Sequence, residues 1–169
     1  TIMIPINRIF VDMDGVLADF VTGVQGPKFL NGPLTDHLYD NNKIKLSNKG
    51  LFRDLPPMKD MQDLVDFVKD TGIYWEILTC TGELNRKKVA QDKIAWIKEH
   101  VDPDVVITCT LKGREKATYA RAGSILIDDR KKNIDAWKQS GGVGVTHVTA
   151  AKTINEVQGI IDLANYFQS

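Results

Sequence analysis

Asp12 and Asp14 stand one residue apart at the end of an apolar run, Ile9-Phe10-Val11. Aspartate is depleted in strands, and two carboxylates this close repel each other unless a cation or a shared proton relieves them. A second pair, Asp128-Asp129, ends another apolar run, Ile125-Leu126-Ile127. Four carboxylates near one point are too much negative charge for a partly buried cleft, and a hard divalent cation with oxygen ligands resolves it. The same cation lets an anionic phosphate approach an anionic nucleophile. The chemistry this points to is magnesium-dependent phosphoryl transfer with Asp12 as the nucleophile, a reaction that rests on positioning and charge neutralisation. Donors to the phosphate are then required. Thr79 offers a hydroxyl, backbone N–H groups around Cys80 and Thr81 add more, and a lysine completes the set, Lys116 with Lys112 as the reserve.

These residues need elements that carry them to one place. A buried strand is expected over 4–11, short and rich in branched apolar residues. Further strands are expected over 73–79, 104–108, 124–127 and 143–147. Helices are expected over 58–71, with Met61, Leu64, Val65 and Val68 on one face and Gly72 at its stop, and over 84–100, with Ala90, Ile94, Ile97 and Val101 aligned. A short helix is expected over 112–121, and Ile134 and Trp137 sit on another that Gly141-Gly142 ends. The last helix shows a capping-box pattern, Thr153-Ile154-Asn155-Glu156, and an apolar face of Ile154, Val157, Ile161 and Ala164.

Strands and helices that alternate imply an α/β fold, a doubly wound and mainly parallel sheet with helices on both faces. Ligands bind such sheets at the carboxyl ends of the strands, where Asp12-Met13-Asp14, Thr79-Cys80-Thr81 and Asp128-Asp129 would collect. Residues 20–57 are different, rich in Gly, Pro and Asn with no lasting period, and Pro56-Pro57 closes them. A stretch this long and irregular is expected to be functional or a small separate unit. The expected division is a core of residues 1–19 and 58–169 with a small cap, 20–57, inserted after the first strand.

Composition narrows the classes. Lys plus Arg is 22 and Asp plus Glu is 22, so the formal net charge is zero. That argues against coating nucleic acid by charge and leaves room for a small phosphorylated substrate in a local basic pocket. Cys80 and Cys109 lack zinc-site spacing and fit reduced thiols in a cytosolic, cytoplasmic protein. No apolar run approaches the roughly 20 residues that span a bilayer, and Thr1-Ile2-Met3-Ile4-Pro5 lacks the basic-then-apolar pattern of a signal peptide. Taken singly, the motif residues have blander readings. Asp12 and Asp14 would be a capped strand end, Thr79 a turn residue, Lys116 a solvated lysine, and Asp128-Asp129 a helix cap. His37, His100 and His147 show no ligand spacing, Trp75, Trp96 and Trp137 read as core or rim, and Arg130-Lys131-Lys132 reads as a solvated helix start.

The set as a whole resembles the haloacid dehalogenase superfamily. Its parts stand in the superfamily's order: Asp12-Met13-Asp14-Gly15-Val16, Ile77-Leu78-Thr79, a lysine, and a strand ending in two aspartates. Within it, Asp12-Met13-Asp14-Gly15-Val16-Leu17-Ala18-Asp19-Phe20 is similar to the 5'(3')-deoxyribonucleotidase family. So are Phe52-Arg53-Asp54-Leu55-Pro56-Pro57, Lys93-Ile94-Ala95-Trp96-Ile97, Arg114-Glu115-Lys116 and Leu126-Ile127-Asp128-Asp129-Arg130.

The resemblance implies a Rossmann-like core and a phosphomonoesterase acting on nucleoside monophosphates through a phospho-aspartate on Asp12. It implies Asp14 as general acid and base, its main-chain carbonyl also on the metal. Asp12 and the Asp128-Asp129 pair would hold Mg2+, either of the pair being the direct ligand. Thr79, Cys80 and Lys116 would hold the phosphate, and Phe20 would lie under the nucleoside. The family's Thr-Ser-Pro is Thr79-Cys80-Thr81 here, and its adjacent aromatic pair in the cap has no counterpart, since Phe29, Tyr39 and Phe52 are scattered. The competing readings are a phosphatase for 3'-phosphorylated nucleic-acid ends or another small phosphate ester, and a silent binding module, which would be expected to lose Asp12 or Asp14. No membrane and no extended nucleic-acid partner is expected, and a homodimer is compatible with the sequence.

Overall fold

The computed structural model describes residues 4–168. Thr1-Ile2-Met3, part of the stretch read for a signal peptide, lies outside the described residues. Five strands, β1 (Arg8–Val11), β2 (Tyr74–Cys80), β3 (Ile107–Thr110), β4 (Ser124–Asp128) and β5 (Val143–Thr146), form one sheet in the order β3-β2-β1-β4-β5. Every pairing is parallel. The helices are α1 (Phe20–Val24), α2 (Asp36–Asn48), α3 (Leu51–Asp54), α4 (Met61–Asp70), α5 (Arg86–His100), α6 (Lys131–Gln139) and α7 (Ala150–Tyr166), with a 3-10 helix over Gly113–Tyr119.

Strand alternation sends side chains to both faces. Ile9, Val11, Ile77, Ile125 and Ile127 join one large core with residues of α3, α4, α5 and α7. Phe10, Leu78 and Leu126 join a second core with Ala120, Ile134 and Trp137. There the Phe10 and Trp137 rings meet edge to face, centroids 5.2 Å apart. Two cores on opposite faces make the sheet doubly wound, as the alternating pattern implies. With β1 in the centre, flanked by β2 and β4, the three strands that end in site residues are adjacent.

Several boundaries differ from the sequence expectation, each for a local reason. The ladder of β1 begins at Arg8; before it Asn7 N–H bonds Gly123 C=O at 2.9 Å, and Pro5, inside the expected strand, has no N–H to give a sheet. β3 begins at Ile107 because Asp104 N–H bonds to Asp102 Oδ1 at 2.7 Å, which spends residues 102–104 on a turn. α7 starts at Ala150, capped by Thr149 Oγ1 accepting from Lys152 N–H. Thr153 therefore lies inside the helix, where its hydroxyl bonds His147 Nδ1 at 2.7 Å, and it is not the cap the box pattern suggests. α4 buries the expected Met61, Leu64, Val65 and Val68 and ends before Gly72, whose φ of +69° suits glycine.

The 20–57 stretch is less irregular than its composition suggests, since it holds α1, α2 and α3. α2 hides from a periodicity search because it buries only Leu46 and Ser47 and is otherwise polar. Its start is marked instead by Thr35 Oγ1, which accepts from Leu38 N–H. Val24, Leu46, Leu51, Phe52 and Leu55 merge with the large core beneath. α5 is rotated from the expected face. It buries Val89, Asp92, Lys93, Trp96 and Ile97, leaving Ala90, Ile94 and Val101 half-exposed. No helix among the described residues is long and apolar enough to cross a membrane.

Candidate active site

Asp12 follows the last residue of β1, and its N–H still bonds Ile127 C=O at 3.0 Å. Its carboxylate cannot point into a core, so the chain turns at once. Leu17 and Ala18 N–H both bond Met13 C=O, and Gly15 N–H bonds Ala18 C=O. The turn needs Gly15 twice over. Its φ is +79° and the Asp129 carboxylate lies where a β-carbon would sit, so any side chain would collide with it.

Lys116, from the 3-10 helix, is 2% exposed and donates to Asp12 Oδ1 and Asp128 Oδ2, each at 2.9 Å. Asp12 Oδ1 also accepts from Met13 N–H. Asp128 is fully buried, and it further accepts from Arg130 N–H at 2.9 Å and Asn133 Nδ2 at 3.1 Å. Carboxylate oxygens of Asp12, Asp128 and Asp129 lie within 4.8 Å of one another, the one such cluster among the described residues.

Burial, with Asp128 and Asp14 adding to it, pushes the Asp12 carboxyl up to about 7 against the pull of Lys116. Burial and the Asp128 charge raise Asp129 to about 6. Burial alone would lower the Lys116 ammonium, but Asp12 and Asp128 outweigh it and hold it above its ordinary value. One ammonium among three carboxylates leaves excess negative charge, and the donor set is all oxygen. Both facts fit a hard divalent cation such as magnesium.

Asp14 stands apart from that cluster. Its Oδ2 accepts from Lys93 Nζ at 2.9 Å. Its Oδ1 is buried with no hydrogen-bond partner among the described residues. Thr79 is fully buried, and its Oγ1 accepts from the same lysine at 3.0 Å. Cys80 Sγ donates to Leu111 C=O at 3.1 Å, and burial raises the Cys109 thiol, so neither cysteine has the environment of an activated nucleophile.

Asp12, Asp14, Phe20, Thr79, Cys80, Lys116 and Asp129 line one cavity of about 500 Å³, with Asp128 behind them. Lys112 does not join it. That side chain is half-exposed and lies 3.7 Å from Glu83. Arg130 reaches the cavity from the basic run, whereas Lys131 pairs with Asp135 in solvent. No histidine or tryptophan lines the cavity. Trp96 and Trp137 are fully buried in the cores.

Two features have no counterpart in the sequence reading. One is the site role of Lys93, which opens the stretch Lys93-Ile94-Ala95-Trp96-Ile97 and, in register with Val89, Trp96 and Ile97, falls on the inward face of α5. The other is an aromatic wall. Phe20 meets Tyr39 edge to face at 5.2 Å and stacks on Phe52 at 6.1 Å and 17°. Three residues scattered over 20–57 thus form one surface above the carboxylates. Burial, with the Asp14 charge, pushes the Tyr39 hydroxyl up to about 12, so it stays neutral there.

Residues 27–158 match the model of the family described as 5' nucleotidase, deoxy (pyrimidine), cytosolic type C protein. The chain is 29% identical over 145 residues to the human 5'(3')-deoxyribonucleotidase, cytosolic type, covering 73% of this chain and 70% of the relative. Among solved structures it is similar to a HAD-superfamily hydrolase from Ehrlichia chaffeensis, with TM-score 0.55, 12% identity and 95% and 100% of the two chains covered. It is similar also to a hydrolase from Streptococcus pneumoniae TIGR4, with TM-score 0.53, 13% identity and 92% and 100% covered. At these identities the structures bear on the fold alone. The family match begins downstream of Asp12 and Asp14, so the reading of those two rests on geometry and chemistry.

Proposed function

The chain belongs to the 5' nucleotidase, deoxy (pyrimidine), cytosolic type C family of phosphoric monoester hydrolases, and from that premise we propose that it dephosphorylates nucleoside monophosphates through a phosphorylated Asp12. The observation that carries this reading is the division of labour between the two carboxylates of one turn. Asp12 lies against Lys116 in the three-carboxylate cluster, whereas Asp14 lies outside it with one oxygen unpartnered and buried.

In the first step an Asp12 oxygen bonds to phosphorus as the ester P–O bond breaks, and Asp14 gives its proton to the departing oxygen. In the second, Asp14 takes a proton from water as the water oxygen bonds to phosphorus, and the P–O bond to Asp12 breaks to release phosphate. Lys116 spends two of its three N–H groups on carboxylates, which leaves the third for a phosphate oxygen. Thr79 accepts from Lys93 and keeps its own O–H for another. Asp12, the Asp14 carbonyl, Asp128 and Asp129 would hold Mg2+. When bound, the ion neutralises the carboxylates and the phosphate so that two anions can meet.

Phe20, Tyr39 and Phe52 serve as the wall for the nucleoside, and residues 20–57 as the cap. A wall of three rings beside the carboxylates suits a single nucleoside better than a continuous strand, which favours mononucleotides over phosphorylated nucleic-acid ends. The test is a hydrolysis screen with Mg2+ across 5'- and 3'-(deoxy)nucleotides, sugar phosphates and 3'-phosphorylated oligonucleotides. Mononucleotides are expected to give the highest kcat/KM. Asp12→Asn is expected to abolish all hydrolysis with the fold intact by circular dichroism, and full activity in that variant would overturn the mechanism.

A further inference from the structure

We propose that Lys93 is a positioning residue for proton transfer: it grips one oxygen of Asp14 and thereby fixes the other as the atom that exchanges the proton. The inference rests on the reading of Asp14 as acid and base. An ammonium has three N–H donors and no more. Those of Lys93 are all engaged within the protein, on Asp14 Oδ2 at 2.9 Å, Thr79 Oγ1 at 3.0 Å and Cys80 C=O at 2.7 Å. Lys93 therefore has no donor left for a phosphate oxygen, unlike Lys116, which makes two bonds. Its role is to act through what it holds.

What it holds is the connection between two strand ends. Asp14 follows β1, whereas Thr79 and Cys80 end β2. The lysine comes from neither, but from the inward face of α5, where it is 2% exposed and rests against the Phe52 ring at 4.9 Å. A buried charge in this setting is costly unless fully bonded, so the ammonium stays where its acceptors are. With Oδ2 already accepting, a proton on Asp14 resides on Oδ1, which is buried and has no hydrogen-bond partner among the described residues. A carboxyl left to rotate would share the proton between two oxygens and two orientations. Lys93 removes one.

The test compares leaving groups. A p-nitrophenolate departs without a proton, whereas the sugar oxygen of a nucleoside 5'-monophosphate needs one. In the full chain with Mg2+, kcat/KM covers only the steps through release of the leaving group. Lys93→Met is expected to lower kcat/KM for the nucleotide about 10- to 100-fold more than for p-nitrophenyl phosphate, a share of the roughly 10²- to 10⁴-fold that acid–base catalysis supplies. The loss is expected in kcat, with KM little changed. Asp14→Asn alone should shift the same ratio, and adding Lys93→Met to it should shift the ratio no further.

A ratio measured on one sample is indifferent to the folded fraction, and Lys93→Gln serves the same comparison where the methionine variant does not fold. Equal losses on both substrates would make Lys93 a merely structural brace. A rise in KM with kcat intact would make it a phosphate ligand. Either overturns the proposal. If the wild-type chain hydrolyses neither substrate, or Asp12→Asn remains active, the failure belongs to the proposed mechanism. If those controls behave and the ratio does not move, it belongs to Lys93 alone.

Discussion

The Asp12 carboxyl carries the strain of the site in its protonation. Its folded value of about 7 stands above its ordinary 3.8 because burial disfavours the charge, and Asp129, at about 6, is displaced the same way. A group whose folded pKa is raised binds its proton more tightly in the native state. Its stabilising contribution is therefore present below the unfolded value and is lost as pH rises through the folded one, here from about 4 to about 7. The metal-free protein is expected to lose thermal stability to these two groups as pH rises from about 4 to about 7, and Mg2+ to restore more at the upper end. Scanning the melting temperature with and without the ion checks this, and a gap that does not widen with pH would count against the carboxylates as the ion's ligands. Asp12→Asn removes one of the two displaced groups and should narrow the gap.

Among the elements, α5 does most to join residues 20–57 to the rest of the fold. Its Trp96 is fully buried, and the indole Nε1–H donates to Leu55 C=O at 2.7 Å, just before Pro56-Pro57 leads on to α4. One turn earlier the same face presents Lys93 to Asp14. Trp96→Phe keeps much of the apolar volume but leaves the buried Leu55 carbonyl unpaired. A loss of about 1–3 kcal/mol is expected from that group alone, measured as a shift in the urea midpoint with unchanged slope. A loss well under that would mean that the Leu55 carbonyl is not held by this bond.

For the molecule as a whole, the proposed function gives residues 20–57 the task of choosing what leaves with the phosphate. The carboxylates at the strand ends and the aromatic wall from residues 20–57 line the same cavity, and the turn that follows Asp14 bonds directly to the end of that stretch, Asp19 N–H to Pro56 C=O. Phe20→Ala opens the centre of the wall, since Phe20 touches both Tyr39 and Phe52. Stacking a base on an aromatic ring is worth about 1–3 kcal/mol. KM for a nucleoside monophosphate is therefore expected to rise about tenfold, while the inhibition constant of inorganic phosphate, which has no ring, stays level. Equal weakening of both would place Phe20 at the phosphate rather than at the base.

How much of this was legible beforehand depended on whether the signal was local. The parallel α/β sheet follows from alternation along the chain, because burial on two faces requires it. Asp12, Asp14, Thr79 and Asp128-Asp129 stand out because polar residues ending apolar strands have a local cost that a core does not repay, whereas Lys116 is singled out only by its place in the motif series. α2 went unseen as a helix because a polar element leaves no hydrophobic period, and the start of α7 was misplaced because two threonines compete to cap it. Phe20 is placed under the nucleoside by the resemblance, but the site role of Lys93 and the meeting of Phe20 with Tyr39 and Phe52 have no local signature, since a lysine on a helix and scattered aromatics read as surface and core. The sequence alone determined the sheet, the strand-end carboxylates and the chemistry they suit. Only the tertiary structure decided that Lys93 has all three N–H groups engaged and that three distant rings share one wall, because both are facts about distances across the fold and not along the chain.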